Sequence, residues 1–153
     1  MSDNTVTVVG NLTREPEMKY TTGGQAKATL GVAVSRRWKN KQTGQDEERT
    51  SFFNVVVWGE MAENCGQSLT KGARVVVTGR LEQRSWETEQ GDKRSVVEIV
   101  ADEVAPSLRW AKASVVKAAR DGGSEYRAPA RAASAPAAAP AEPAYGGFED
   151  EPF

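Results

Sequence analysis

Runs of β-branched residues at period two dominate residues 1–105, and only one stretch among them keeps a helical period. Thr5-Val6-Thr7-Val8-Val9-Gly10 alternates Thr and Val. Ala28, Leu30, Val32 and Val34 recur every second residue, with Thr29, Gly31, Ala33 and Ser35 between them. Phe53, Val55 and Val57 take one side of a third strand, and Phe52, Asn54, Val56 and Trp58 the other. Val75-Val76-Val77 with Leu81 marks a fourth strand, and Val96, Val97, Ile99 and Val100 a fifth. Such residues suit a pleated, half-buried surface. The exception runs from Glu60 to Thr70, where Met61, Ala62, Cys65 and Leu69 fall on one helical face. Lys71-Gly72 then supplies a cation for the last turn and a glycine to end it.

The order is three strands, one helix, two strands. That order predicts an all-β chain: an OB-fold, a five-stranded Greek-key barrel with one helix between strands 3 and 4. The same element list also suits an irregular α+β sheet. Two polar segments, Trp38–Glu48 and Ser85–Lys93, read as long hairpin-like loops, each opening at or near a tryptophan.

Composition narrows the chemistry. One cysteine and no histidine leave no intramolecular disulfide, no Cys/His zinc site and no histidine base. Cys65 lies on the inward helix face, where an inert thiol is expected. Asp46-Glu47-Glu48 is the only tight carboxylate cluster, and no phosphate loop or nucleophile–base pair accompanies it. A metal-dependent nuclease therefore has little to work with; no catalytic residue, metal or cofactor is expected. No apolar run approaches the ~20 residues of a membrane span, and the N-terminus lacks a secretion pattern, so the expected compartment is the cytoplasm.

Net charge hides a split: residues 1–120 carry 18 basic and 15 acidic residues, and residues 121–153 carry 2 and 6, so +3 and −4 give the overall −1. Past Asp121-Gly122-Gly123 the chain is Ala, Pro, Gly and charge. Such a composition cannot offset its ordering entropy, and a disordered C-terminal tail is expected. The segmentation is 1–105 barrel, 106–118 extra segment, 119–148 linker and 149–153 acidic tip.

Four aromatics occupy odd places for core residues. Trp38 follows Arg36 and Arg37 and precedes Lys39 and Lys41. Phe52 and Trp58 share a strand face, about 20 Å apart at ~3.3 Å per residue. Trp86 shares strand parity with Arg80 and Arg84. Rings beside cations suit unpaired bases: each ring is a platform worth ~1–3 kcal/mol per base, and the cations neutralise phosphates. The competing reading is ordinary packing, which claims many large aromatics. Phe53 has core parity and is assigned to packing; Trp110 is assigned to an interface.

The motifs together resemble bacterial single-stranded DNA-binding proteins, the actinobacterial branch most. They are Val8-Val9-Gly10-Asn11-Leu12 with Pro16-Glu17, Ser35-Arg36-Arg37-Trp38, Val55-Val56-Val57-Trp58-Gly59, Ala62-Glu63-Asn64, Leu69-Thr70-Lys71-Gly72 and Val77-Thr78-Gly79-Arg80-Leu81. The Glu-Pro-Phe end is a further match. The resemblance implies sequence-independent binding and protection of single-stranded DNA in replication, recombination and repair, by a nucleoid-associated homotetramer. It implies stacking at Trp38, Phe52, Trp58 and Trp86. Phosphate contacts fall to Lys39, Lys41, Lys71 and the nearby Arg36, Arg37, Arg49, Arg80, Arg84 and Lys93. It implies that Ser107–Val116 is an extra strand clamping a neighbouring subunit; a short terminal helix is the alternative. It also implies that Glu149, Asp150, Glu151, Pro152 and Phe153 dock on replication, recombination and repair proteins, an aromatic anchor and acids meeting an apolar pocket and basic residues. Two departures stand out: Glu60 where many members have lysine, and Phe52 where tryptophan is frequent. A specialised paralogue, or an OB-fold accessory that binds only proteins, remains the alternative.

Overall fold

A computed structural model describes residues 3–119. Its elements are β1 (Val6–Leu12), β2 (Glu17–Tyr20), β3 (Ala26–Lys39), β4 (Asp46–Trp58), α1 (Gly59–Ser68), β5 (Arg74–Glu87) and β6 (Lys93–Pro106). β1 pairs β5, β5 pairs β6, β6 pairs β4 in parallel, β4 pairs β3, and β3 returns to β1. Five strands thus close into the expected OB barrel. Closure removes the exposed edges that a small open sheet would have to protect.

The period-two residues fill the barrel. Leu30, Val32, Val55, Val57, Val75 and Val77 are fully buried, and Ile99 joins them from β6. α1 plugs one side through Ala62 and Cys65, with Leu69 buried just past its end. The expected helical face is therefore the buried one. Burial pushes the Cys65 thiol up to about 11, because an apolar setting disfavours thiolate.

Two features depart from the sequence expectation. β2 is additional to the five strands expected. Its four residues Glu-Met-Lys-Tyr show no hydrophobic alternation, because only Met18 turns inward. Met18 slides under α1 at Gly66, where a Cβ would stand 2.9 Å from its sulfur. The second departure is that strands extend into both ends of the predicted long loops and leave only short turns between them. β3 and β4 run as a ladder from Lys27–Trp58 to Lys39–Asp46, leaving a turn that the Asn40 N–H closes on the Gln45 carbonyl at 2.8 Å. β5 and β6 do the same out to Glu87–Lys93. Past the barrel both faces of these ribbons meet solvent, so neither needs apolar residues and the alternation vanishes.

Candidate nucleic-acid interface

Register and pleating decide where each ring goes. Trp58 stands opposite Lys27, Phe52 opposite Ala33, and Trp38 opposite Glu47. In β4 the core side belongs to Phe53, Val55 and Val57, so Phe52 and Trp58 face outward; Phe53 packs on the core as expected. In β3 the core side belongs to Leu30 and Val32, and Val34, Arg36 and Trp38 continue it beyond the barrel. In β5 the outward positions opposite to Val75 and Val77 carry Arg80, Arg84 and Trp86. The structure thus brings Phe52, Trp58 and Trp86 to the outer face and sets Trp38 on the other side of the β3–β4 ribbon.

All four rings meet solvent: Phe52 is 73% exposed, Trp86 44%, and Trp38 and Trp58 37% each. Phe52 is the freest of the four, while Trp38 and Trp58 are partly covered and keep about a third of their surface in solvent. Trp38 borders a groove of about 560 Å³ lined by Val34, Arg36, Arg49, Ser51 and Phe53. Arg36 and Arg49 sit directly opposite each other there, and neither makes an ion pair among the described residues. Like charges in that position repel, a cost that an arriving phosphate would relieve.

Other cations singled out by the sequence hold carboxylates. Arg37 Nε lies 3.2 Å from Glu48. Arg80 reaches Glu82 at 2.7 Å and Asp102 at 3.3 Å. Arg84 donates to Glu98 at 3.4 Å while its guanidinium sits 5.2 Å from the centre of the Trp86 ring. The Arg37 and Arg80 pairs, exposed on both sides, contribute roughly 0–1 kcal/mol, so phosphates can displace them; Glu98 is more sheltered, with its side chain only 17% exposed. Lys39 and Lys93 stand at the ribbon ends opposite Asp46 and Glu87, and Lys41 stands in the first turn. Lys71 does not join this group. It lies in the turn before β5, at the end of that strand remote from Trp86, and its backbone N–H donates to Glu15 at 3.0 Å.

Sequence reasoning missed Lys27. Its ammonium stands 5.3 Å from the centre of the Trp58 ring, a cation–π geometry. Only the strand register could have revealed it, because the two residues are distant along the chain.

Glu60 is exposed in the first turn of α1, where the acid complements the positive helix end. Gly59 takes φ +67° to turn β4 into that helix. Past β6, residues 107–119 form neither helix nor strand in the single chain. Trp110 lies between Arg74 at 4.7 Å and Arg109 at 5.0 Å and is 74% exposed, and Val115 and Val116 are exposed too. The tail and the tip Glu149–Phe153 lie outside the described residues. Among the described residues no group of three or more His, Cys, Asp or Glu is placed to hold a metal ion, and no helix is long and apolar enough to cross a membrane.

Known proteins resemble this chain in sequence and in fold. The single-strand binding protein family model matches residues 3–107. A single-stranded DNA-binding protein of Mycobacterium bovis is 46% identical, covering 98% of this chain and 97% of its own. One from Corynebacterium glutamicum is 50% identical over 81% of this chain and 56% of its own. Among solved structures, a Plasmodium falciparum SSB in complex with ssDNA superposes with a TM-score of 0.65 at 26% identity, covering 70% of this chain and 97% of that one. The family is one of binding proteins rather than enzymes, which disposes of the nuclease reading. By sequence across the barrel and by fold, the chain belongs to the single-strand binding protein family.

Proposed function

We infer that this chain binds single-stranded DNA with little regard to base sequence, stacking bases on Trp38, Phe52, Trp58 and Trp86. The observation that carries this is the exposure of the four rings, with Lys27 against Trp58 and Arg84 against Trp86. A folded chain gains by burying such large apolar surfaces, yet each of these keeps at least a third of its surface in solvent. Every base has a π-face, so stacking tolerates any sequence, whereas a duplex hides those faces. Arg36, Arg37, Arg49, Arg80 and Arg84, with Lys39, Lys41 and Lys93, neutralise phosphates between the platforms. Lys71 stands apart from the aromatic ribbons and contacts phosphate only if the strand travels round the barrel.

The same reading extends to the rest of the chain. Four copies assemble, and residues 107–118 pair with a neighbour; their lack of structure in the single chain and the exposure of Trp110, Val115 and Val116 support this. The tip Glu149–Phe153 recruits replication and repair proteins. The decisive experiment is anisotropy of labelled dT oligomers of graded length at two salt concentrations, with duplex competitor. Tight, salt-sensitive binding that duplex fails to displace is expected. Equal competition by duplex would overturn the stacking account.

A further inference from the structure

The unforeseen strand β2 completes a row of two lysines beside Trp58. Lys19 of β2 pairs with Lys27 of β3, and Lys27 pairs with Trp58 of β4. All three lie on the outer face, because their neighbours Met18, Ala28 and Val57 turn toward the core. At ~4.8 Å between strands, the row is about 10 Å long. Its side chains are available: the Lys19 side chain is 70% exposed and Lys27 is half-buried.

Two ammonium groups directly opposite each other weaken a sheet. Among the described residues, Glu17 is the one carboxylate in ion-pair contact with either lysine, 2.9 Å from Lys19. The hydrogen bond and charge of Lys19 hold Glu17 below its usual carboxylate range, and Arg14 and Lys27 add to the pull. One exposed carboxylate thus stands in the field of three cations. The surplus positive charge adjoins the Trp58 ring, within reach of a phosphate that flanks a base stacked there.

We propose that the DNA track continues past Trp58 across β3 and β2, with Lys27 and Lys19 as consecutive phosphate contacts. Lys27 also acts on the platform itself, since its cation–π contact covers part of the indole and leaves the remaining ring surface to the base. This extension rests on the single-strand binding inferred above and goes beyond the four platforms.

The test compares wild type with K19A/K27A and the charge-keeping K19R/K27R, using dT oligomers across a salt series. Each phosphate contact on a single strand contributes about 0.7 to the slope of log affinity against log salt, so losing two lowers the slope by about 1.4. From 50 to 200 mM salt, the alanine variant should lose about sevenfold less affinity than wild type, a figure that follows from the same slope. K19R/K27R should keep the wild-type slope. The deficit should appear only with oligomers long enough to pass Trp58. An alanine variant with the wild-type slope overturns the extension while leaving single-strand binding intact. So does an arginine variant as defective as the alanine one, which would mark the lysines as structural. Failure of wild type itself to bind dT would instead overturn the underlying function. K19A alone, at a mostly exposed site, guards against misfolding of the double variant and should remove about half of the slope change, about 0.7.

Discussion

Phe52 and Phe53 are adjacent in sequence and opposite in circumstance, and replacing each with alanine should separate binding from stability. Phe52 is 73% exposed, so the fold buries only about a quarter of its ring. At ~200 Å² for a phenylalanine and ~25 cal/mol per Å², F52A should cost at most about 1 kcal/mol of stability. For a domain of this size that is a fall of about 4 °C in Tm. Its loss as a platform removes ~1–3 kcal/mol of stacking, a drop of about 5- to 150-fold in affinity for dT. Phe53 packs on the core cluster while half-buried. F53A should cost about 2–3 kcal/mol, somewhat less than the ~3–5 of a fully buried phenylalanine. Its Tm should fall by roughly 10 °C. Scanning calorimetry and oligonucleotide anisotropy on both variants make the comparison. A large Tm loss in F52A with unchanged affinity would refute the outward placement of that ring.

Three further outcomes are expected. E60K should strengthen binding and steepen its salt dependence by about 0.7 for each new phosphate neutralised; it should also cost about 0.3–1 kcal/mol, because the acid complements the helix end, and salt-series titration with thermal melts reads both. E98Q should weaken the 3.4 Å contact to Arg84 and raise dT affinity, by about fivefold where the contact withholds ~1 kcal/mol, which oligonucleotide anisotropy reads. Cys65 should resist thiol-directed reagents in the folded protein and react on unfolding. With its folded pKa raised from 9.0 to about 11, its contribution to stability is fully present below about pH 9 and declines as pH rises toward 11; in denaturant melts the advantage of wild type over C65A should shrink across that range.

The barrel was legible because its core residues obey strict alternation where one face is sealed: Leu30, Val32, Val55 and Val57 declare their strands. The helix was legible because Ala62, Cys65 and Leu69 repeat on one face. Legibility ended where burial ended. Residues 35–39 and 46–51 belong to strands held by cross-strand pairing rather than by apolar patterning, so their sequence is indistinguishable from that of a polar loop. β2 carries no pattern because a single inward residue, Met18, anchors it. The aromatic platforms could be found from their cationic neighbours, yet their division between two faces could not, since Trp38 opens a segment that reads as a polar loop, to which strand parity does not extend. Lys27 and Arg49 show the same limit. Their partners Trp58 and Arg36 are named by register, and register is invisible until strands pair.

Tryptophan fluorescence offers the most direct check, because the chain holds four tryptophans and only Trp110 lies outside the stacking set. Saturating dT should quench the emission of wild type strongly, and a W38F/W58F/W86F variant, retaining Trp110 alone, should show almost no quenching. Quenching undiminished in that variant would mean that bases do not stack where the exposed rings stand.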